Sequence, residues 1–124
     1  MVEFIKKIMK NKFNRDMEDN DIDLKELKKL QREGAVLIDV RSPQEFNEGH
    51  LDGAICIPEY RIKKEMEEMF INKEEKYILY CSSGARSKKA QKTIKKLGYK
   101  NVYNLYNGYV NYWDFSWFML ECEI

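Results

Sequence analysis

The sequence predicts an α/β domain in which a mostly parallel central sheet is covered by helices on both faces. Three observations predict it. Short apolar runs at 35–40, 54–57, 77–80 and 102–105 alternate with stretches of helical periodicity, the βαβα order of parallel sheets. The first run, Ala35-Val36-Leu37-Ile38-Asp39-Val40, lacks the polar alternation of a strand with one wet face, so it belongs buried on both sides. Finally, 124 residues make one domain by the usual allowance of roughly 100 to 200, and 44% apolar with 35% charged residues supplies one modest core under a solvated surface.

Residues 1–21 read as an N-terminal amphipathic helix and an acidic linker, and residues 22–124 as the domain with an aromatic C-terminal tail. Val2, Ile5, Ile8, Met9 and Phe13 recur near helical spacing, with Lys6, Lys7, Lys10, Lys12 and Arg15 on the polar side. Asp16, Glu18, Asp19, Asp21 and Asp23 then reverse the sign. Asp23 and Glu26 form the pattern of a capping box, Leu24, Leu27 and Leu30 an apolar stripe, and Gly34 the stop of this helix. Ser42-Pro43-Gln44-Glu45 repeats the capping logic with proline at the first helical position, where its missing N–H costs nothing, and Gly49 closes the turn. Ala54 to Ile57 is a strand stopped by Pro58, and Ile62, Met66, Met69 and Phe70 give Tyr60 to Phe70 a helical face. Tyr77 to Tyr80 is the third strand, Ser87 to Leu97 a helix stopped by Gly98, and Val102 to Leu105 the fourth strand.

Composition excludes several function classes. With 22 basic and 21 acidic residues the formal charge is +1, which gives no chain-wide field for nonspecific nucleic-acid binding. No window approaches the ~18 uninterrupted apolar residues of a membrane span, and the N-terminal lysines break any secretory core, so a cytoplasmic protein is expected, with no membrane partner. Cys56, Cys81 and Cys122 are spaced too widely for a CxxC metal site and are odd in number for a disulfide framework. They read as reduced thiols, with no metal and no cofactor implied, and Cys56 as an inert core thiol.

In open parallel sheets ligands bind beyond the carboxyl ends of the strands, which points to Asp39 to Arg41 and to Cys81 to Arg86. The segment Tyr80-Cys81-Ser82-Ser83-Gly84-Ala85-Arg86-Ser87 runs from a buried strand into a helix. Such a turn aims backbone N–H groups and the helix N-terminus at one point. Small residues at 82–85 let the backbone curl around the Cys81 sulfur, Gly84 can take a positive φ, and the N–H groups of Ser82, Ser83, Gly84, Ala85, Arg86 and Ser87 favour thiolate over thiol. Cys81 is thus the expected nucleophile, with Arg86 adding positive charge and an Asp39–Arg41 pair supporting the loop. This requires amides that face the sulfur, and a sulfur not sealed in the apolar interior. The following helix carries Lys88, Lys89, Lys92, Lys95 and Lys96 with no acidic residue, a solvated face or an attractor of anionic donors.

Beyond Cys81-x-x-Gly84-x-Arg86-Ser87, the chain carries Leu37-Ile38-Asp39-Val40-Arg41, Glu45-Phe46, Gly49-His50-Leu51, Gly53-Ala54, Ile57-Pro58 and Asn101-Val102-Tyr103-Asn104-Leu105, ending in Trp113. In this order and spacing it resembles the rhodanese-like sulfurtransferases over about residues 22–113. The resemblance implies a rhodanese-like fold in which Cys81 takes a sulfane sulfur from a donor such as thiosulfate and passes it to cyanide, a thiol or a protein cysteine. It also makes His50 a structural, supporting residue. The rival, an arginine-assisted cysteine phosphatase or arsenate reductase, uses Cys-x5-Arg, whereas Cys81 and Arg86 are separated by four residues, a ring sized for one sulfur. A second class is a noncatalytic module of the same fold that binds a protein or senses redox state. Asn107-Gly108 replaces the family's Gly-Gly, and the turn is expected to survive because Asn tolerates left-handed φ. The tail from Trp113 to Leu120 can pack on the N-terminal helix of its own chain or of a second copy, a homodimer through the terminal segments.

Overall fold

The computed structural model describes residues 20–109. Its strands are β1 (Asp21–Ile22), β2 (Val36–Asp39), β3 (Ile55–Cys56), β4 (Lys76–Tyr80) and β5 (Asn101–Leu105). Its helices are α1 (Leu24–Arg32), α2 (Pro43–Glu48), α3 (Ile62–Met69) and α4 (Ala85–Lys96), with a 3₁₀ turn at Glu59–Arg61. The expected N-terminal helix, the aromatic tail with its expected packing and Cys122 lie outside the described residues.

The strands form one sheet in the order β1-β5-β4-β2-β3, and every pairing is parallel. Asp39 stands opposite Tyr80, and Leu79 opposite Asn104, so β2, β4 and β5 end nearly level and their following loops emerge on one edge. Alternate residues of β4 feed two cores, as the period of two requires. Tyr77 and Leu79 join Ile62 and Met66 of α3 and Ala90 and Ile94 of α4 on one face. Ile78 and Tyr80 join Leu27 of α1 and Leu51 on the other. Leu27 and Ile94 are fully buried, each contributing roughly 1.5–3 kcal/mol.

The expected α/β architecture is present, with differences at the margins. Asp21, read as the end of a linker, pairs with Asn104 in an edge strand. Asp23 caps α1 by accepting from the Glu26 N–H at 2.8 Å. The reciprocal box forms fully at Ser42 and Glu45, with Pro43 leading α2. Helix α4 begins two residues before Ser87, because Gly84 in the left-handed region lets the chain enter the helix directly from the loop.

Candidate active site

Strand β4 delivers Cys81 to the carboxyl edge of the sheet, where Gly84, at φ +97°, folds the chain back over it. The sulfur accepts from the Gly84 N–H at 3.1 Å and the Ser87 N–H at 3.4 Å, with the Ser87 hydroxyl oxygen also 3.4 Å away. A side chain at Gly84 is excluded twice, by that φ and by the Tyr106 carbonyl oxygen 2.2 Å from where a Cβ would stand. From the opposite side Gly108, at φ +76°, packs so closely that its Cβ would lie 2.3 Å from the Ser82 carbonyl oxygen. The neighbouring Tyr109 N–H donates to the Cys81 carbonyl at 2.8 Å. The left-handed residue of the Asn107-Gly108 turn is therefore the glycine, and Asn107 needs no unusual φ.

Two of the expected amides, those of Gly84 and Ser87, face the sulfur, but Cys81 is 0% exposed and belongs to the core against α4. It sits at the floor of the cradle, not at its edge. The reason is the tightness of the loop between Tyr106 and Gly108, which closes over the side chain.

Arg86 also differs from expectation. Its guanidinium does not point at the sulfur as a bare charge but forks onto Glu45, at 2.8 and 3.0 Å, with a further bond to the Ser82 hydroxyl at 3.3 Å. Ser82 in turn donates to Glu45 at 3.3 Å. Arg86 holds the Glu45 carboxyl down at about 2, so the pair stays ionised through the neutral range. The same carboxylate accepts from the Ser42 N–H, tying the start of α2 to the loop 41 residues away. Ser83 and Ala85 are exposed on the loop's outer side. They line, with Gly84, Asp21, Lys88 and Asn104, a cleft of about 390 Å³.

Asp39 and Arg41 are brought together as expected, with bonds of 2.8 to 3.1 Å from the guanidinium to both carboxylate oxygens. Arg41 also donates to the Gly49 carbonyl at 2.6 Å and lies over the Tyr109 ring at 4.4 Å, which links the buried pair to the backbone that grips Cys81. His50 is exposed on α2's side: its ring stacks on Phe46 at 3.7 Å, and Nδ1–H donates to the Phe46 carbonyl at 2.9 Å. Cys56 is half-buried, its thiol pushed up by burial. The basic helix is less charged than its composition implies, since Arg86, Lys88 and Lys89 meet Glu45, Asp21 and Glu59. Among the described residues no group of three or more His, Cys, Asp or Glu could hold a metal ion. No described helix is long and apolar enough to cross a membrane.

The profile of the rhodanese-like domain matches residues 23–114. The chain belongs to the rhodanese-like domain family. Like other members of known structure, the domain superposes on human single-domain sulfurtransferase TSTD1 with a TM-score of 0.69 at 24% identity, covering 78% of this chain and 97% of that one. A rhodanese from E. coli, solved with anions, gives a TM-score of 0.55 at 31% identity over 57% of this chain and 84% of its own. Among curated relatives, the uncharacterized protein YqhL of Bacillus subtilis is 41% identical, over 60% of this chain and 58% of its own length. A tRNA uridine(34) hydroxylase of Buchnera aphidicola is 34% identical over 67% of this chain. The rhodanese-like chain spans 28% of that hydroxylase and 58% of YqhL.

Two residues at this site escaped the sequence reading. Asn104 and Asp21 are buried behind Ser87, and only their positions next to strand ends hinted at it.

Proposed function

We propose that this domain is a sulfurtransferase that carries a sulfane sulfur as a persulfide on Cys81. The observation that carries the reading is the pair of N–H groups, from Gly84 and Ser87, converging on one sulfur in a turn that only glycine can make. In the first step the Cys81 thiolate attacks the outer sulfur of thiosulfate: a Cys81 S–S bond forms, the thiosulfate S–S bond breaks, and sulfite leaves with the electron pair. In the second, cyanide, a thiol or a protein cysteine attacks the terminal sulfur, and the thiolate returns. With cyanide the product is thiocyanate. The first-turn N–H groups of α4 have no intrahelical acceptor, which leaves donors for a terminal sulfur.

The four-residue spacing to Arg86 and the engagement of its fork by Glu45 argue against phosphoryl chemistry, which would need that fork for phosphate oxygens. A reducing compartment such as the cytoplasm suits a thiol that must return to its free form in each cycle. Cys81 is 0% exposed, against the unsealed sulfur that the sequence reading required, so the transferase reading needs the loop after Cys81 to open before a donor can reach the sulfur.

That same complete burial favours a second reading, a noncatalytic module of this fold that binds a protein partner or senses redox state. Steady-state thiocyanate production from thiosulfate and cyanide separates the two. Turnover that vanishes in Cys81→Ser supports the transferase; no turnover with thiosulfate or any other sulfane donor supports the module.

A further inference from the structure

Behind the sulfur lies a buried polar chain that the proposed reaction does not use. Ser87 is 0% exposed, and its hydroxyl oxygen neighbours three groups that can accept: Cys81 Sγ at 3.4 Å, the Gly84 carbonyl at 3.2 Å and, nearest, Asn104 Oδ1. A hydroxyl has one proton to give. Asn104 is 1% exposed, and its Nδ2 donates to Asp21 Oδ1 at 3.2 Å. A carboxylate only accepts, so Asp21 fixes the amide with nitrogen outward and oxygen toward Ser87. Asp21 is itself held by Lys88 Nζ at 2.9 and 3.0 Å.

We infer that Asn104 is a positioning residue for Cys81: clamped by Asp21, it takes the Ser87 proton and leaves the sulfur to two backbone N–H groups. In the thiol state the S–H donates to the Ser87 oxygen and every group is satisfied. Ionising the sulfur calls for the Ser87 proton, and supplying it would strand Asn104 Oδ1 in the interior. The clamp therefore opposes the thiolate, and removing it releases a donor, since an ionised acceptor outcompetes the neutral Gly84 carbonyl. The charged groups around the sulfur are Arg86 of α4 with Glu45 of α2 paired to it, Asp39 with Arg41 at the end of β2, and the Asp21–Lys88 pair beyond Asn104. The inference rests on the reading of Cys81 as the reacting thiol.

The test is the ultraviolet absorbance of the thiolate titrated against pH in the full chain, with Cys81→Ser subtracted, an equilibrium signal that needs no access to the sulfur. Asn104→Leu keeps the volume and removes the acceptor. Its midpoint should fall by about one pH unit, the worth of one hydrogen bond to a charged group. The fall should vanish in a Ser87→Ala background. Asp21→Asn, which loosens the clamp without emptying the core, should move the midpoint the same way by less, and it decides the matter if Asn104→Leu does not fold. A midpoint that stays or rises in the variants, or a fall that persists without the Ser87 hydroxyl, overturns the inference. Thiosulfate loading is scored separately: failure to load with the midpoint shift intact would overturn the transferase reading alone.

Discussion

Gly84 and Gly34 have almost the same φ, +97° and +95°, but differ completely in the space around them. Nothing lies within 4 Å of a Cβ built on Gly34, whereas one on Gly84 would stand 2.2 Å from the Tyr106 carbonyl oxygen. Gly34→Ala therefore bears only the left-handed strain of an L-residue, roughly 1–2 kcal/mol. Gly84→Ala bears that strain plus an overlap with backbone that no rotamer relieves, roughly 1–3 kcal/mol more for forced overpacking. The total for Gly84→Ala is about 2–5 kcal/mol. Relief by shifting the loop also draws the Gly84 N–H off the sulfur, so sulfur loading should be lost even where the variant stays folded. Urea unfolding measures the stabilities, and intact mass after thiosulfate measures loading. The reasoning is refuted if the two alanine variants are equally stable, or if Gly84→Ala loads at the rate of the unaltered protein.

Three further outcomes follow from the geometry. Between the ordinary glutamate value of 4.5 and the value of about 2 that Arg86 imposes on Glu45, the unfolded chain binds more protons than the folded one. The pair's stabilisation is thus complete above about pH 4.5 and drains as pH falls toward 2. With Glu45 33% and Arg86 40% exposed, solvent screening limits it to at most ~1 kcal/mol; urea midpoints should drop more steeply with acid than in Glu45→Gln, and parallel slopes would remove the pair's role. Tyr80→Phe leaves the buried Leu51 N–H without its 3.0 Å acceptor and should cost ~1–3 kcal/mol by thermal or chemical unfolding. Arg41→Ala strands fully buried Asp39, an expected loss of ~3–5 kcal/mol, with a loss under ~1 kcal/mol showing that the pair is not the anchor described.

The sheet was legible because β2 and β4 are built on the apolar runs Val36–Ile38 and Tyr77–Tyr80, without the polar alternation of a strand with one wet face, a pattern that burial on both faces imposes. β1 was not, since Asp21 and Ile22 sit among acidic residues and owe their strand to the exposed edge of β5, a tertiary cause without local trace. Cys81 and Gly84 were legible from one turn of sequence. The partner of Arg86 was not, because Glu45 looks like an ordinary helix cap and acts as one while also gripping a loop 41 residues on. The depth of the sulfur was hidden for a related reason: small residues at 82–85 permit either an open or a closed cradle, and the closure is set by Tyr106 and Gly108 arriving from β5. His50 shows the converse, a residue conspicuous by type whose ring spends its interactions on Phe46.

The most direct trial weighs the intact protein after incubation with thiosulfate and again after cyanide. One sulfur mass should appear, be absent from Cys81→Ser, and leave as one equivalent of thiocyanate. A protein that gains no mass from thiosulfate or other sulfane donors, or gains it without Cys81, contradicts the account.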